Sequence, residues 1–160
     1  MHRYAAAPDP YILPGSTVLK NIPGLGEAEQ LAVFERNAVA WRSLSIPTGH
    51  YDVAHLKAIH KHLFQDVYGW AGEFRTIPMA KGASRFAQSQ YIEQETRKIL
   101  GRIAVADMHT APLGRFTAAL TEMISELNAV HPFRPGYCAV AGRGLRPCLR
   151  PDGHYSRSVD

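Results

Sequence analysis

One histidine of this sequence stands where a long apolar segment ends. His131 follows a stretch with apolar residues at helical spacing (116–127), and Pro132 directly after it disfavours further helix. Histidine is the side chain whose unperturbed pKa lies nearest neutral pH, so His131 at the start of a loop is a candidate general base. The alternative is structural, because an imidazole at a helix C-terminus interacts favourably with the helix dipole. Position alone leaves both interpretations open.

The other titratable residues give weaker signals. His55, His60 and His62 are five and two residues apart, which does not place two imidazoles on one helix face. We expect them at the surface, and we predict no metal site. Cys138 and Cys148 match no zinc spacing and are read as incidental. The sequence also lacks a P-loop.

Four segments with helical periodicity must position His131. The first runs from Glu27 toward Pro47, and Asp52 is the expected N-cap of the second. The third is expected to begin at Ser89, and the fourth, which ends at His131, is apolar enough to be the central buried helix. The apolar positions of the four are, in order, Leu31, Phe34, Ala38 and Trp41; Leu56, Ile59 and Leu63; Ile92, Thr96, Ile99 and Ile103; Phe116, Leu120, Met123, Ile124 and Leu127.

The remaining segments are irregular or extended. Residues 1–26 are rich in proline and glycine, which predicts an irregular arm lying over a domain core at 27–134. Glycines and a proline bracket short apolar pieces between residues 68 and 86, which indicates a β-hairpin. Residues 135–160 have no periodicity and are treated as an aberrant tail. The fold class predicted is mainly α, a helical bundle with one hairpin.

Composition limits the possible functions. At 160 residues, with 46% hydrophobic and 20% charged residues, the chain is expected to form one globular domain. No apolar run is long enough for a membrane helix and the N-terminus has no apolar signal segment, so a cytoplasmic location without membrane contact is expected. The net charge is +4, but residues 131–160 contribute +3 of it. A nearly neutral body argues against a nucleic-acid partner.

Several motifs together resemble one known family. SELNAVHPFR at residues 125–134 is similar to the run that leads into the Fic motif, HPFx[D/E]GNGRxxR. YGWAGEFRT at 68–76 resembles the WAGxxR segment of that family, and KGASRF at 81–86 resembles its flap. PGSTVLKN at 14–21 is like the arm of bacterial members, including toxins that have a small antitoxin. The resemblance to Fic (filamentation induced by cAMP) proteins covers residues 8–134.

The resemblance implies a Fic fold and a protein adenylyltransferase, which moves AMP from ATP to a Ser, Thr or Tyr hydroxyl of a target protein. In such enzymes His131 would be the base, with Mg²⁺ on the phosphates, and Phe133 would anchor the loop. Lys81 and Gly82 would lie in a hairpin flap over the nucleotide, and Gly136 in the phosphate loop. The flap, at about 77–86, would align the target as an added strand.

The resemblance ends within the motif itself. Pro135 stands at the position of the metal-binding acid, and Tyr137, Cys138 and Ala139 replace Asn, Gly and Arg. The phosphate loop and the Mg²⁺ ligand are therefore lost. Our hypothesis is that residues 135–152 come from a frameshift, and a diverged pseudoenzyme is the rival explanation. We also expect the chain to be poorly stable, or partly disordered beyond about residue 135.

Two functions follow from this pattern. The first is adenylyl transfer, impaired in this chain. The second is an inactive Fic-like module that docks a target or an antitoxin protein. The sequence contains no [S/T]xxxE[G/N] inhibitory motif, so a separate small antitoxin is the expected regulator.

Overall fold

The part of the chain that the structure describes is mainly helical. The computed structural model describes residues 9–81, 84–102 and 111–134. The elements in chain order are α1 (Ala28–Arg42), α2 (Val53–Phe64), β1 (Ala80–Lys81), β2 (Ser84–Arg85), a 3₁₀ turn (Ser89–Tyr91), α3 (Ile92–Gly101) and α4 (Leu113–Val130). The predicted fold class, mainly α, is confirmed.

Helix α2 forms the middle of the packing, with α1 on one side and α3 on the other. The carboxylate of Asp52 accepts a 2.8 Å hydrogen bond from the backbone N–H of His55, so the predicted N-cap is present. The expected apolar face is buried and is formed by Leu56, Ile59 and Leu63. Burial of that stripe in the core defines the rotation of the helix.

Helix α4 packs against α3 and carries His131 at its C-terminal end. One face of it is buried, through Leu120, Met123, Leu127 and Val130. The opposite face is exposed, and Leu113 in the first turn is 63% accessible. The prediction that α4 is the central, buried helix was therefore wrong in its extent of burial, because the helix is buried only along one stripe of residues spaced by three and four.

Helix α1 buries only part of the face that its sequence suggested, because Leu31 is buried and Ala38 is half-buried as expected but the other two positions are not. Leu31 and Val39 are in the core, whereas Phe34 and Trp41 are 37% and 73% exposed. Residues 31, 35 and 39 are spaced by four, so Glu35 also faces inward, where its carboxylate accepts a hydrogen bond from Tyr68. The half-buried acid within the inward stripe masked the true face, because such a carboxylate needs a donor that the sequence alone does not show.

The short strands β1 and β2 lie in the segment that was expected to form a hairpin. They pair antiparallel, with Ala80 opposite Arg85 and Lys81 opposite Ser84. Residues 82–83 between them lie outside the described part. Ser89, expected as the N-cap of α3, instead begins the 3₁₀ turn, and α3 starts at Ile92. Ile103, expected on the same helix, also lies outside the described residues.

The prediction that the three histidines of α2 lie at the surface was wrong for two of them. His60 is fully buried and His55 is 8% exposed, while His62 is half-buried. Four of their ring nitrogens have main-chain partners. The N–H of Tyr51 donates to His55 Nδ1 and that of Gly72 to His60 Nδ1. His55 Nε2 and His62 Nε2 are hydrogen-bonded to the carbonyls of Pro47 and Arg42. Buried polar groups must be satisfied in this way. In the described ranges no three potential metal ligands come together.

Residues 9–26 lie along the helices without regular structure. Their one bridge joins Ile12 to Leu19, and Tyr11 and Val18 are buried against the domain. The arm, core and tail boundaries at 26/27 and 134/135 remain predictions. The tail at 135–160, with Gly136 and both cysteines, lies outside the described residues. Within the described ranges, no helix is long and apolar enough to span a membrane.

Candidate active site

The backbone turns sharply at His131. This residue caps the C-terminus of α4 in the left-handed region, with φ 49° and ψ 64°, and its N–H donates a 2.9 Å hydrogen bond to the Leu127 carbonyl. Pro132 follows, and proline disfavours helix in the residue before it. The chain therefore leaves the helix at the histidine and directs the following loop back over the core.

A buried arginine fixes this turn. Arg75 is 2% exposed, and its guanidinium donates to the main-chain oxygen of His131 at 2.7 Å and to that of Val130 at 3.1 Å. It also donates to the carbonyl of Ile77 at 2.6 Å and to that of Ala87. These acceptors are all main-chain carbonyl oxygens. Burial of the guanidinium lowers the pKa of Arg75. One cation thus ties the end of α4 to both ends of the strand pair.

Phe133 anchors the loop in the core, as expected. Its side chain is fully buried and stacks on the ring of His60, with centroids 4.1 Å apart and planes 17° apart. Phe74 also packs against it, with the ring centroids 5.2 Å apart. The backbone N–H of Arg75 donates a 2.9 Å hydrogen bond to the Pro132 carbonyl, so both the backbone and the side chain of the loop are held. His131 projects from a rigid base.

The strand pair places an aromatic ring against the imidazole. Phe86 directly follows β2, and its N–H donates a 3.1 Å hydrogen bond to the Met79 carbonyl, which extends the pairing by one step. The rings of Phe86 and His131 are stacked, with centroids 4.2 Å apart and an interplanar angle of 13°. Both residues are half-buried. One face of the imidazole is therefore covered by the residue that follows β2.

The N-terminal arm closes the other side of the loop. Asp9 forms an ion pair of 2.6 Å with Arg134, and both side chains are less than one quarter exposed. The Trp70 indole N–H donates to the carbonyl of Arg134, and the ring of Tyr11 packs edge-on against Trp70 at 5.0 Å. The Tyr11 hydroxyl is hydrogen-bonded to Thr76. The arm thus supports the loop immediately after His131.

The residues predicted for nucleotide binding are only partly described. Lys81 lies on β1, where its backbone pairs with Ser84. Gly82 and Gly136 lie outside the described residues, and the roles of Lys81, Gly82, Gly136 and His131 remain predictions. The two arginines nearest His131 already have partners in the protein: Arg75 binds four carbonyls and Arg134 binds Asp9.

The structure adds residues around His131 that the sequence did not single out. Arg75, Phe86 and Trp70 each lie within a recognised motif, but nothing in the pattern assigned them a contact. The signal that could have identified Arg75 is its place in the YGWAGEFRT segment, five positions after Trp70, which resembles the WAGxxR segment of the family. Charged side chains are rarely fully buried unless they are paired, so its burial and carbonyl partners could not be read from composition.

With this geometry in place, the comparisons with known proteins identify the family. Residues 50–136 match the family model described as the Fic/DOC family. The chain is also 37% identical over 139 residues to the probable protein adenylyltransferase y4lH of Sinorhizobium fredii, a match that covers 85% of this chain and 72% of that protein. The chain belongs to the Fic/DOC family.

Solved structures support the same fold. The N-terminal Fic domain of a Bartonella effector protein, from Bartonella sp. AR 15-3, superposes with a TM-score of 0.79 at 23% identity, covering 89% of this chain and 72% of that one. BepC from Bartonella tribocorum, with bound AMPPNP, superposes with a TM-score of 0.75 at 22% identity, covering 82% and 72%. The four helices described above therefore form a Fic fold.

Proposed function

We propose that this chain is a Fic domain of the protein adenylyltransferase type in which AMP transfer from ATP to a target hydroxyl is impaired. The observation that carries the proposal is the held position of His131, whose carbonyl is bound by Arg75 and whose ring is stacked by Phe86. A histidine fixed at the start of a loop suits a general base that takes the proton of a target Ser, Thr or Tyr.

The family comparisons support the transfer chemistry as the ancestral activity. The relative y4lH is named a probable protein adenylyltransferase, and the structural neighbour BepC has AMPPNP bound. By analogy with these proteins, we propose that this chain also binds a nucleotide. The segment that contains Lys81 would then be the flap over that nucleotide. A cytoplasmic location, where ATP is supplied, is part of the proposal.

The described residues do not fit a bound metal–triphosphate. No three potential metal ligands come together in those ranges, and the next residue after them is Pro135, which has no carboxylate. Arg75 and Arg134 are both occupied by protein partners. A triphosphate needs charge neutralisation by cations and backbone N–H groups. This deficit is why we propose impaired transfer rather than full activity, and no Mg²⁺ step is assigned.

Calorimetric titration with Mg²⁺ and ATP tests the proposal. The unmodified chain is compared with a variant whose loop after His131 is restored to HPFREGNGR and given the helix that follows in the family. We expect binding by the restored chain and at least 10-fold weaker binding by the unmodified chain, since each missing charged hydrogen bond contributes about 1.5–3 kcal/mol. Equal binding by both chains would contradict the impaired phosphate site.

A second function is supported by the surface of α1. Trp41 and Leu44 near its C-terminal end are 73% and 78% exposed, and Phe34 two turns earlier is also exposed. A groove of about 450 Å³ lies between α1 and the arm, with Leu31, Val39 and Tyr68 among its lining residues. Exposed apolar surface of this kind marks protein contacts. The alternative proposal is therefore a docking module for a target protein or a separate small antitoxin.

A further inference from the structure

We propose that Phe86 is a positioning residue for His131: its ring fixes the plane of the imidazole and so sets the direction in which the base accepts a proton. The inference rests on the proposed role of His131 as a general base. It starts from the stacked pair itself, with centroids 4.2 Å apart and planes within 13° of each other. Aromatic pairs of this kind add about 0.5–1.5 kcal/mol beyond the area they bury.

The chemistry of imidazole explains why a stack on its face matters. The lone pair that accepts a proton lies in the plane of the ring, so a partner on the face leaves the reacting edge open. Rotation of His131 about its side-chain bonds would swing that edge away from the target hydroxyl. Hydrogen bonds weaken steeply as their angle departs from linearity, and proton transfer needs a short, aligned contact. A fixed imidazole plane therefore keeps the proton-accepting edge of His131 aligned with the target hydroxyl.

The position of Phe86 is itself held from both sides. Its N–H is bonded to the Met79 carbonyl, and the carbonyl of the next residue, Ala87, is bound by Arg75. Arg75 also binds the main-chain oxygen of His131. The phenyl ring and the imidazole are therefore attached to one buried cation through neighbouring carbonyls. Because both backbones are hydrogen-bonded to the same arginine, the relative position of the two rings is fixed by the fold.

The same geometry couples the base to the hairpin. Strand β2 ends directly before Phe86, so a displacement of β2 would move the phenyl ring relative to the imidazole. The Phe133 ring contacts His60 in the core, and the Arg134 side chain contacts both Asp9 of the arm and the sulfur of Met79. Of the residues at the strand pair, Phe86 is the one whose ring lies against the imidazole. Phe86 is thus the hairpin residue through which the imidazole plane is set.

Nuclear magnetic resonance on the unmodified chain tests this directly, because it requires no nucleotide. Histidine is labelled with ¹³C in the ring, and the His131 signal is assigned by its loss in His131→Asn. We expect ring protons of His131 displaced upfield by the Phe86 ring current, Overhauser contacts between the two rings, and C–H order parameters near about 0.85, as for rigid groups. Ring protons of His131 at the positions of an exposed histidine would overturn the proposal.

Two substitutions separate positioning from general support of the fold. Phe86→Leu keeps an apolar side chain but removes the ring, and we expect the His131 order parameter to fall below about 0.6 and the upfield displacement to vanish. Phe86→Tyr keeps the stack and should restore both. His60, stacked on Phe64 and Phe133, is the internal reference and should be unchanged. An immobile, still upfield His131 in Phe86→Leu would refute the inference.

A matched control and a functional measurement complete the test. Phe116→Leu changes a half-buried phenylalanine of α4 that has no ring contact with His131, and it should leave the His131 signals unchanged. In the loop-restored chain, Phe86→Leu should lower kcat about 10- to 100-fold with unchanged ATP affinity, since a misplaced reacting group costs up to about 100-fold. Unchanged kcat would refute positioning, whereas absent ATP binding by the restored parent would refute the proposed function instead.

Discussion

The Nε atom of Arg75 lies 2.7 Å from the main-chain oxygen of His131 and donates a hydrogen bond to it. The two residues are 56 positions apart, and the arginine belongs to the segment before the hairpin. Because the same guanidinium also binds the carbonyls of Ile77 and Ala87, it joins the base of the hairpin to the end of α4. This arginine organises the site without facing solvent.

Replacing Arg75 should destabilise the domain more than any surface substitution. Arg75→Met removes the charged donors to four carbonyls, and hydrogen bonds to charged groups contribute about 1.5–3 kcal/mol each. We expect the free energy of unfolding in urea to fall by at least 3 kcal/mol or so. Arg97→Met is the control, because Arg97 is exposed on α3, and it should change stability by less than about 0.5 kcal/mol. Equal stability of the two variants would contradict the role of Arg75.

Gly72 should tolerate no side chain. Its φ is +88°, and an added Cβ would lie 2.8 Å from the Cβ of Lys61 and 3.1 Å from the carbonyl oxygen of Lys57. We expect Gly72→Ala to lower the free energy of unfolding by about 2 kcal/mol or more, from backbone strain and overpacking together. Gly69→Ala is the matched control, since nothing lies within 4 Å of its added Cβ. Urea denaturation of both variants measures the difference, and a neutral Gly72→Ala would rule out the close approach.

The ion pair between Arg42 and Asp66 should make stability depend on pH in acid. Arg42 donates two hydrogen bonds to the carboxylate, at 2.7 and 2.8 Å, and this lowers the pKa of Asp66. Because the pKa of Asp66 is lower in the folded state, the ion pair contributes to the free energy of unfolding at pH values above the ordinary carboxyl pKa of about 3.9. That contribution is lost as pH falls through the pKa of the folded state.

The difference in unfolding free energy between the unmodified chain and Asp66→Asn should therefore be largest near neutral pH and disappear in acid. Both side chains are about one third exposed, so the effect should be small and reduced further by 1 M salt. Denaturation across pH at two salt concentrations measures it. A difference that grows in acid would have the wrong sign for this ion pair.

Tyr68 should resist ionisation in alkali. Burial, followed by the hydrogen bond to the Glu35 carboxylate, raises the pKa of its hydroxyl well above the usual range. Because the folded pKa is raised, the contribution of this group to stability is complete below about pH 10 and is lost as pH rises further.

Spectrophotometric titration of the seven tyrosines tests this expectation. We expect one phenol to resist ionisation until the chain unfolds in alkali, and Tyr68→Phe to remove that late step. The variant should also lose less stability than the unmodified chain when pH rises above about 10. If the late step persists in Tyr68→Phe, another tyrosine is responsible for it.

Much of the helical framework could be predicted from periodicity, and its failures have identifiable causes. Helix α2 matched its predicted cap and apolar face because Asp52 and the stripe at 56, 59 and 63 agree with one another. In α1 two stripes compete, and the inward one contains Glu35, so the pattern favoured Phe34 and Trp41, which are exposed. A local pattern cannot show which of two helix faces is inward when the inward face depends on a donor far away in sequence, here Tyr68.

The candidate site was predicted through its histidine but not through the residues that hold it. His131 was recognisable from the helix end, the proline and the family motif. The partners of Arg75 are main-chain oxygens at positions 77, 87, 130 and 131, and carbonyl groups have no signature in a sequence. The burial of His60 likewise depends on Phe133, which is 73 positions later. Such contacts arise only from the tertiary fold.

The left-handed backbone of His131 opposes thermal stability. A residue with a Cβ in this conformation costs roughly 1–2 kcal/mol, which glycine avoids. A laboratory selection for heat resistance alone should therefore enrich glycine or asparagine at position 131, together with relaxation of the turn after α4. Any lineage that keeps histidine there accepts this cost, so selection for a stable chain and selection for an imidazole act in opposite directions at the same residue.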